Sequence, residues 1–130
     1  MQPSSNAPLR IAILGDFDRG KHSHWATEAA LFHAAARSEL SVEPCWIDTP
    51  SLESDATLAQ LQAYAGVWGA PGSPYRSARG MVRAIQYARE NDLAYLGTCA
   101  GFQYALIELT RNVLGIVDAD SAENAPDGQN

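Results

Sequence analysis

The stretch Leu93-Ala94-Tyr95-Leu96-Gly97-Thr98-Cys99-Ala100-Gly101-Phe102 decides how the rest of the chain is read. A short apolar run enters a turn flanked by two glycines. Beyond the turn, Phe102, Leu106, Leu109 and Val113 recur at helical spacing and predict an amphipathic helix. Strand, tight turn and helix in that order form the setting of a nucleophile elbow. Glycines suit such a turn because it is strained and passes close to its neighbours. Cys99 falls at the helix N-terminus, where unpaired N–H groups and the helix dipole favour a thiolate. The alternative for Cys99 is a small, inert core residue. The Gly-x-Cys-x-Gly context favours the nucleophile position, which still requires a base and an oxyanion hole to act.

Working outward, strands and helices alternate. Leu9–Leu14 reads as the first strand, followed by a loop from Gly15 to His22 and a helix over His24–Arg37. Trp25, Ala29, Phe32 and Ala36 form the apolar stripe of that helix. Ser41–Ile47 is a second strand, placed at an edge by Pro44. Thr49–Asp55 reads as a polar loop, Ala56–Tyr64 as a short helix and Gly66–Gly69 as a third strand. A helix over Ser77–Glu90 carries Met81, Ile85 and Ala88 on one face. The fourth strand, Leu93–Thr98, leads into the elbow, and its helix runs to about Leu114 with Gly115 as C-cap.

This alternation implies an α/β fold: a doubly wound (flavodoxin-like) parallel sheet with helices on both faces. Residues 1–8 read as a flexible tail, 9–117 as the domain and 118–130 as a polar, disordered tail. Ligands of such sheets bind beyond the carboxyl ends of the strands, which brings loops 15–22, 69–76 and 97–101 to one edge.

Composition narrows the partners. The 130 residues carry a net charge of −6 and show no basic patch, which argues against nucleic acid. No apolar run is long enough to span a membrane, and two cysteines make no disulfide framework. A reducing, cytoplasmic setting is expected.

Backbone N–H groups of Ala100 and of Gly72 or Ser73 are candidates for the oxyanion hole, although Pro71-Gly72-Ser73-Pro74 also reads as a simple tight turn. The base is harder to find. The three histidines, His22, His24 and His33, all precede Cys99. His22 and His24 lie at the active edge, and His33 reads as structural. Gly15 to Lys21 has the glycine spacing of a phosphate loop, but His22 replaces the expected hydroxyl residue, and Asp16 and Asp18 would repel phosphate. Asp16, Asp18, His22 and His24 read as solvated loop polarity rather than metal ligands, Cys45 reads as a packing residue, and no metal or cofactor is expected.

Cys99-Ala100-Gly101-Phe102-Gln103, Ala105-Leu106-Ile107-Glu108 and Arg111-Asn112-Val113-Leu114-Gly115 resemble the glutaminase domain of CTP synthase and its stand-alone relatives, which are class I (triad-type) glutamine amidotransferases. Cys45-Trp46-Ile47-Asp48, Pro71-Gly72, Ala84 to Asn91, and Asp118 to Glu123 extend the resemblance from about Arg10 to Glu123. It implies hydrolysis of L-glutamine to glutamate and ammonia through a cysteinyl thioester. Cys99 would be the nucleophile, Gly72 and Ala100 would help form the oxyanion hole, and Gln103 and Glu123 would hold the polar groups of glutamine. The partner would be a synthetase domain or a second copy of the chain.

Two departures accompany the resemblance. The family's catalytic His and Glu lie well downstream of its Ser-x-Glu segment. The chain is therefore read as the N-terminal half of the domain, with impaired glutaminase activity. The family's Pro-Gly-Gly-Phe-Gly loop is here Pro71-Gly72-Ser73-Pro74-Tyr75, which points to the stand-alone branch. The alternatives are a non-catalytic binding or regulatory module of the same fold, and another cysteine-elbow hydrolase or redox protein with a local base.

Overall fold

The computed structural model describes residues 7–124. The outer parts of both expected tails, 1–6 and 125–130, lie outside the described residues. The elements are β1 (Leu9–Leu14), α1 (His22–Arg37), β2 (Val42–Ile47), α2 (Asp55–Gln60), β3 (Gly66–Gly69), α3 (Ala78–Glu90), β4 (Tyr95–Gly97) and α4 (Ala100–Asn112). Short 3-10 turns at Thr49–Glu53 and Leu61–Ala63 flank α2. The expected loop at 49–55 and helix at 56–64 are thus replaced by a helical turn, a short helix and a second turn. Pro50 lies in the first turn of the 3-10 segment, where its missing N–H is no loss.

The four strands are parallel in the order β2-β1-β3-β4. β1 is flanked on both sides, and Ala12, Ile13 and Leu14 are all fully buried, as a central parallel strand requires. β2 is an edge strand and carries Pro44, as its sequence suggests. In-register pairing puts Leu14, Ile47, Gly69 and Gly97 at the same level, so all four strands end on one side. The loops converge there.

One core lies between the sheet and helices α2 to α4, built from Leu14, Leu52, Leu61, Val67, Met81 and Ile107 among others. α3 presents Met81, Ile85 and Ala88 inward as its spacing predicts, and Ser77 caps it by accepting the Gly80 N–H at 2.9 Å.

Two helices face the other way from expectation. In α1 the buried residues are His24, Thr27 and Ala35, while Trp25 and Phe32 are half exposed. The inward face is polar yet satisfied: Thr27 Oγ1 donates to the Ser23 carbonyl at 2.8 Å, and both ring nitrogens of His24 are bonded. In α4 the buried residues are Ala100, Gly101, Tyr104, Ile107 and Glu108. The predicted stripe of Phe102, Leu106, Leu109 and Val113 is 41–55% exposed. Small residues hold the inward side of the first turn of α4, which lies directly on the β3 backbone: a Cβ on Gly101 would fall inside the van der Waals shell of the Gly69 carbonyl oxygen.

α4 ends at Asn112. Gly115 takes a left-handed φ of +79°, and the Ile116 N–H reaches back to the Thr110 carbonyl at 3.0 Å. Residues 118–124 then return across α4. Arg111 Nε donates to the Ala119 carbonyl at 2.7 Å, and Asn124 Nδ2 donates to the Tyr104 hydroxyl at 3.1 Å.

Candidate active site

Cys99 sits in the turn between β4 and α4, exposed and free, with φ 53° and ψ −116°. A positive φ in a residue other than glycine marks stored strain. The turn is held from several sides. Thr98 N–H donates to the Gly69 carbonyl at 3.2 Å and Gly101 N–H to the Thr98 carbonyl at 2.9 Å. Phe102 and Gln103 N–H groups both reach the Cys99 carbonyl at 3.1 Å. The Tyr95 hydroxyl donates to the Gly101 carbonyl at 2.7 Å, and Trp68 Nε1 donates to Thr98 Oγ1 at 3.0 Å. Ala100, the first residue of α4, offers its N–H at the helix N-terminus.

The Pro71–Tyr75 loop follows β3, next to β4 in the sheet. Gly72 has φ +102°, a value glycine alone adopts freely, and the Ser73–Pro74 bond is cis. Tyr75 is buried. Its hydroxyl donates to the Ala70 carbonyl, and its ring meets Tyr104 edge-on at 5.0 Å. Ser73 Oγ lies 3.5 Å from Glu123 Oε2, and both line a cleft of about 420 Å³ with Tyr104, Arg111 and Asp120. Gln103 lines a neighbouring cleft of about 340 Å³ that shares Asp120. Ser73 and Glu123 thus share one cleft and Gln103 lines the other, while Cys99 and Ala100 sit in the turn between β4 and α4.

The loop after β1 serves a different purpose from the one its composition suggests. Asp16 is a hub. Its Oδ1 accepts the Thr49 N–H at 2.8 Å, and its Oδ2 accepts Thr49 Oγ1 at 2.9 Å and the Arg76 N–H at 2.8 Å. One carboxylate therefore ties together the segments after β1, β2 and β3. Asp18 accepts the Gly20 N–H at 2.8 Å through its side chain and the Lys21 N–H at 3.0 Å through its carbonyl, so these donors are turned inward rather than toward a phosphate. His24 accepts the Asp18 N–H on Nδ1 at 2.9 Å, and its Nε2 faces the Pro71 carbonyl at 3.3 Å. Neither nitrogen is left for proton transfer at Cys99. Asp16 and Tyr95 leave no signal in the sequence, because their partners, backbone amide and carbonyl groups and the Thr49 hydroxyl, carry no pattern.

Three tyrosines surround this region. Burial pushes the Tyr75, Tyr95 and Tyr104 hydroxyls upward from the usual tyrosine range. The fold thus prefers them neutral. Unfolded tyrosines ionise near about pH 10, so stability is complete below that value and falls as pH rises beyond it. Urea midpoints measured between about pH 8 and about pH 11 should decline at the alkaline end, with tyrosinate absorbance rising together with unfolding. A flat midpoint over that range would contradict this account.

A family model described as glutamine amidotransferase class-I matches residues 23–129. The chain belongs to the class-I glutamine amidotransferase family. Within that family it is similar to CTP synthase of Campylobacter jejuni subsp. doylei, with 39% identity over 115 residues, covering 88% of this chain and 21% of the relative. CTP synthase of Sulfolobus acidocaldarius is 34% identical over 119 residues, covering 91% and 22%. The amidotransferase fold is that of the glutaminase domain of Trypanosoma brucei CTPS with bound acivicin: TM-score 0.81, 28% identity, covering 92% of this chain and 47% of that one. The chain therefore spans about a fifth of the length of these curated relatives. Among the described residues no helix of this amidotransferase domain is long and apolar enough to cross a membrane.

Proposed function

We propose that this chain carries the nucleophile half of a glutamine-hydrolysing site of CTP synthase type. Cys99 attacks the side-chain carbonyl of L-glutamine. The N–H groups of Ala100 and of Gly72 or Ser73 receive the developing oxyanion, ammonia leaves, and water releases glutamate from the cysteinyl thioester. Gln103 and Glu123 hold the polar groups of the substrate. Pro74 has no N–H to offer, which leaves the hole to its neighbours. The observation that carries this reading is the Cys99 backbone, held at φ 53° between a parallel strand and the N-terminus of α4.

Proton transfer is the missing element. Histidine occurs only at positions 22, 24 and 33 of the 130 residues, and His24 is fully engaged. Taken by themselves, these residues are expected to turn glutamine over no faster than a triad enzyme lacking its base, about 10³–10⁴ over water. The same engagement of His24 removes one of the two edge histidines as a local base. The half-exposed apolar residues Leu96, Phe102 and Leu106 keep a non-catalytic binding module, meeting a synthetase domain or a second copy, as the second reading.

The test uses acivicin followed by mass spectrometry. Labelling should saturate with acivicin concentration, fall on Cys99 alone, be slowed by L-glutamine and vanish in Cys99→Ser. Labelling that grows linearly, or that glutamine leaves untouched, would remove the glutamine site and favour the binding module.

A further inference from the structure

His24 is placed where a polar side chain has a single purpose to serve. It is 2% exposed, and its ring packs against Trp46 at 4.9 Å and Phe17 at 5.8 Å between centroids. The Asp18 N–H donates to Nδ1, so Nδ1 carries no proton and the neutral ring holds its proton on Nε2. That proton points to the carbonyl of Pro71, 47 residues away and in the loop that follows β3. Of the two links, this is the one that joins α1 to the loop beside Cys99.

A trans peptide sets its C=O and N–H on opposite sides. Holding the Pro71 carbonyl therefore also fixes the direction of the Gly72 N–H. β3 lies between β1 and β4 in the sheet, with α1 following β1 and Cys99 following β4. With its carbonyl drawn toward His24 on α1, the Pro71–Gly72 peptide turns the Gly72 N–H away from α1. Gly72 itself is fitted to this contact: its φ is +102°, and a Cβ there would come within 3.2 Å of His24 Nε2.

We propose that His24 is a positioning residue for the oxyanion hole, its Nε2–H clamping the Pro71 carbonyl so that the Gly72 N–H stays aimed at the acyl carbon attacked by Cys99. This rests on the glutaminase reading above and adds to it a residue that never touches substrate. It also explains why a polar ring occupies the inward face of α1.

The test uses the full 130-residue chain and compares two alkylating agents at Cys99. A chloroketone analogue of glutamine develops an oxyanion when the thiol adds to its carbonyl, whereas iodoacetamide reacts by direct displacement and develops none. His24→Phe keeps the ring packing and removes the donor. It should lower the chloroketone rate about 10-fold to 100-fold, part of the effect of deleting an oxyanion donor, with the iodoacetamide rate unchanged. His24→Gln, which restores an N–H donor, should recover most of the loss. Equal slowing of both reagents, or of neither, would overturn the proposal.

A second readout needs no reaction. In the unmodified protein, long-range proton–nitrogen spectra should show a bare Nδ1 and a protonated Nε2, and His24→Phe should move the Pro71 carbonyl and Gly72 amide resonances. If the unmodified chain shows no preference for the chloroketone, the glutaminase reading fails, and these spectra alone decide the clamp. The opposite tautomer, or unmoved Pro71 and Gly72 signals, would overturn it. The tautomer is read without any variant, so a misfolded His24→Phe would not block the test.

Discussion

Gly101→Ala is expected to destabilise the fold by about 3 kcal/mol, the upper part of the usual overpacking range, and to abolish saturable labelling of Cys99. The added methyl would press on the carbonyl oxygen, carbonyl carbon and Cα of Gly69, all backbone atoms of β3. No side-chain rotation relieves that contact. α4 must move away from the sheet, and the Thr98 to Gly69 and Tyr95 to Gly101 hydrogen bonds must stretch with it. Both bonds belong to the turn that sets the Cys99 backbone. Gly66→Ala is the natural control, because a Cβ there meets Ala94 and Ile11 only at 3.8 Å, ordinary contact distance. Urea unfolding of the two variants should separate them clearly. A Gly101→Ala protein as stable as Gly66→Ala, with normal acivicin labelling, would show that α4 does not depend on this close approach.

The second large effect concerns Glu108, whose carboxylate is fully buried between α3 and α4. Arg89 meets it side-on, with Nε at 2.6 Å and Nη2 at 3.1 Å, and Asn112 Nδ2 adds a third donor at 3.1 Å. The hydrogen bond to Glu108 also holds the Arg89 guanidinium above its usual range. Glu108→Ala should cost about 3 kcal/mol, the low end for a broken buried pair, because the stranded Arg89 still reaches water. Removing Arg89 should be worse than removing Glu108, since it leaves the carboxylate buried with one amide. Arg89→Met combined with Glu108→Leu should recover much of the loss, because an apolar pair of similar volume leaves no unpaired charge. Urea midpoints of the single and double variants form a cycle. Additive losses would mean that the two side chains do not act as a unit.

The parts of this molecule that could be read in its sequence are the parts that local chemistry dictates. Alternating apolar runs and helical periods place all four strands and the helices α1, α3 and α4. Pro44 marks an edge strand, and Gly97 to Gly101 the elbow. What stayed hidden depends on residues far apart in the chain. Periodicity identifies α1 and α4 as amphipathic but does not say which stripe faces inward. In α4, the decision belongs to Gly101 meeting Gly69; in α1, it belongs to His24 meeting Asp18 and Pro71. Asp16 reads as a solvated loop residue until its partners at Thr49 and Arg76, 33 and 60 residues away, are in place. Short 3-10 turns leave no periodic trace, so the structure divides residues 49–63 differently from what their sequence suggests.

The packing of the elbow separates two kinds of information that its motif runs together. A Cβ on Gly97 would strike the Gly101 backbone, and one on Gly101 would strike β3, whatever side chain residue 99 carries. The pair of glycines is therefore a record of architecture, required in any descendant that keeps the turn, active or silent. Only the identity of residue 99 records chemistry. Searches of genomes for working members of such a family should weigh the thiol and its proton partners, while the glycine spacing alone dates the fold.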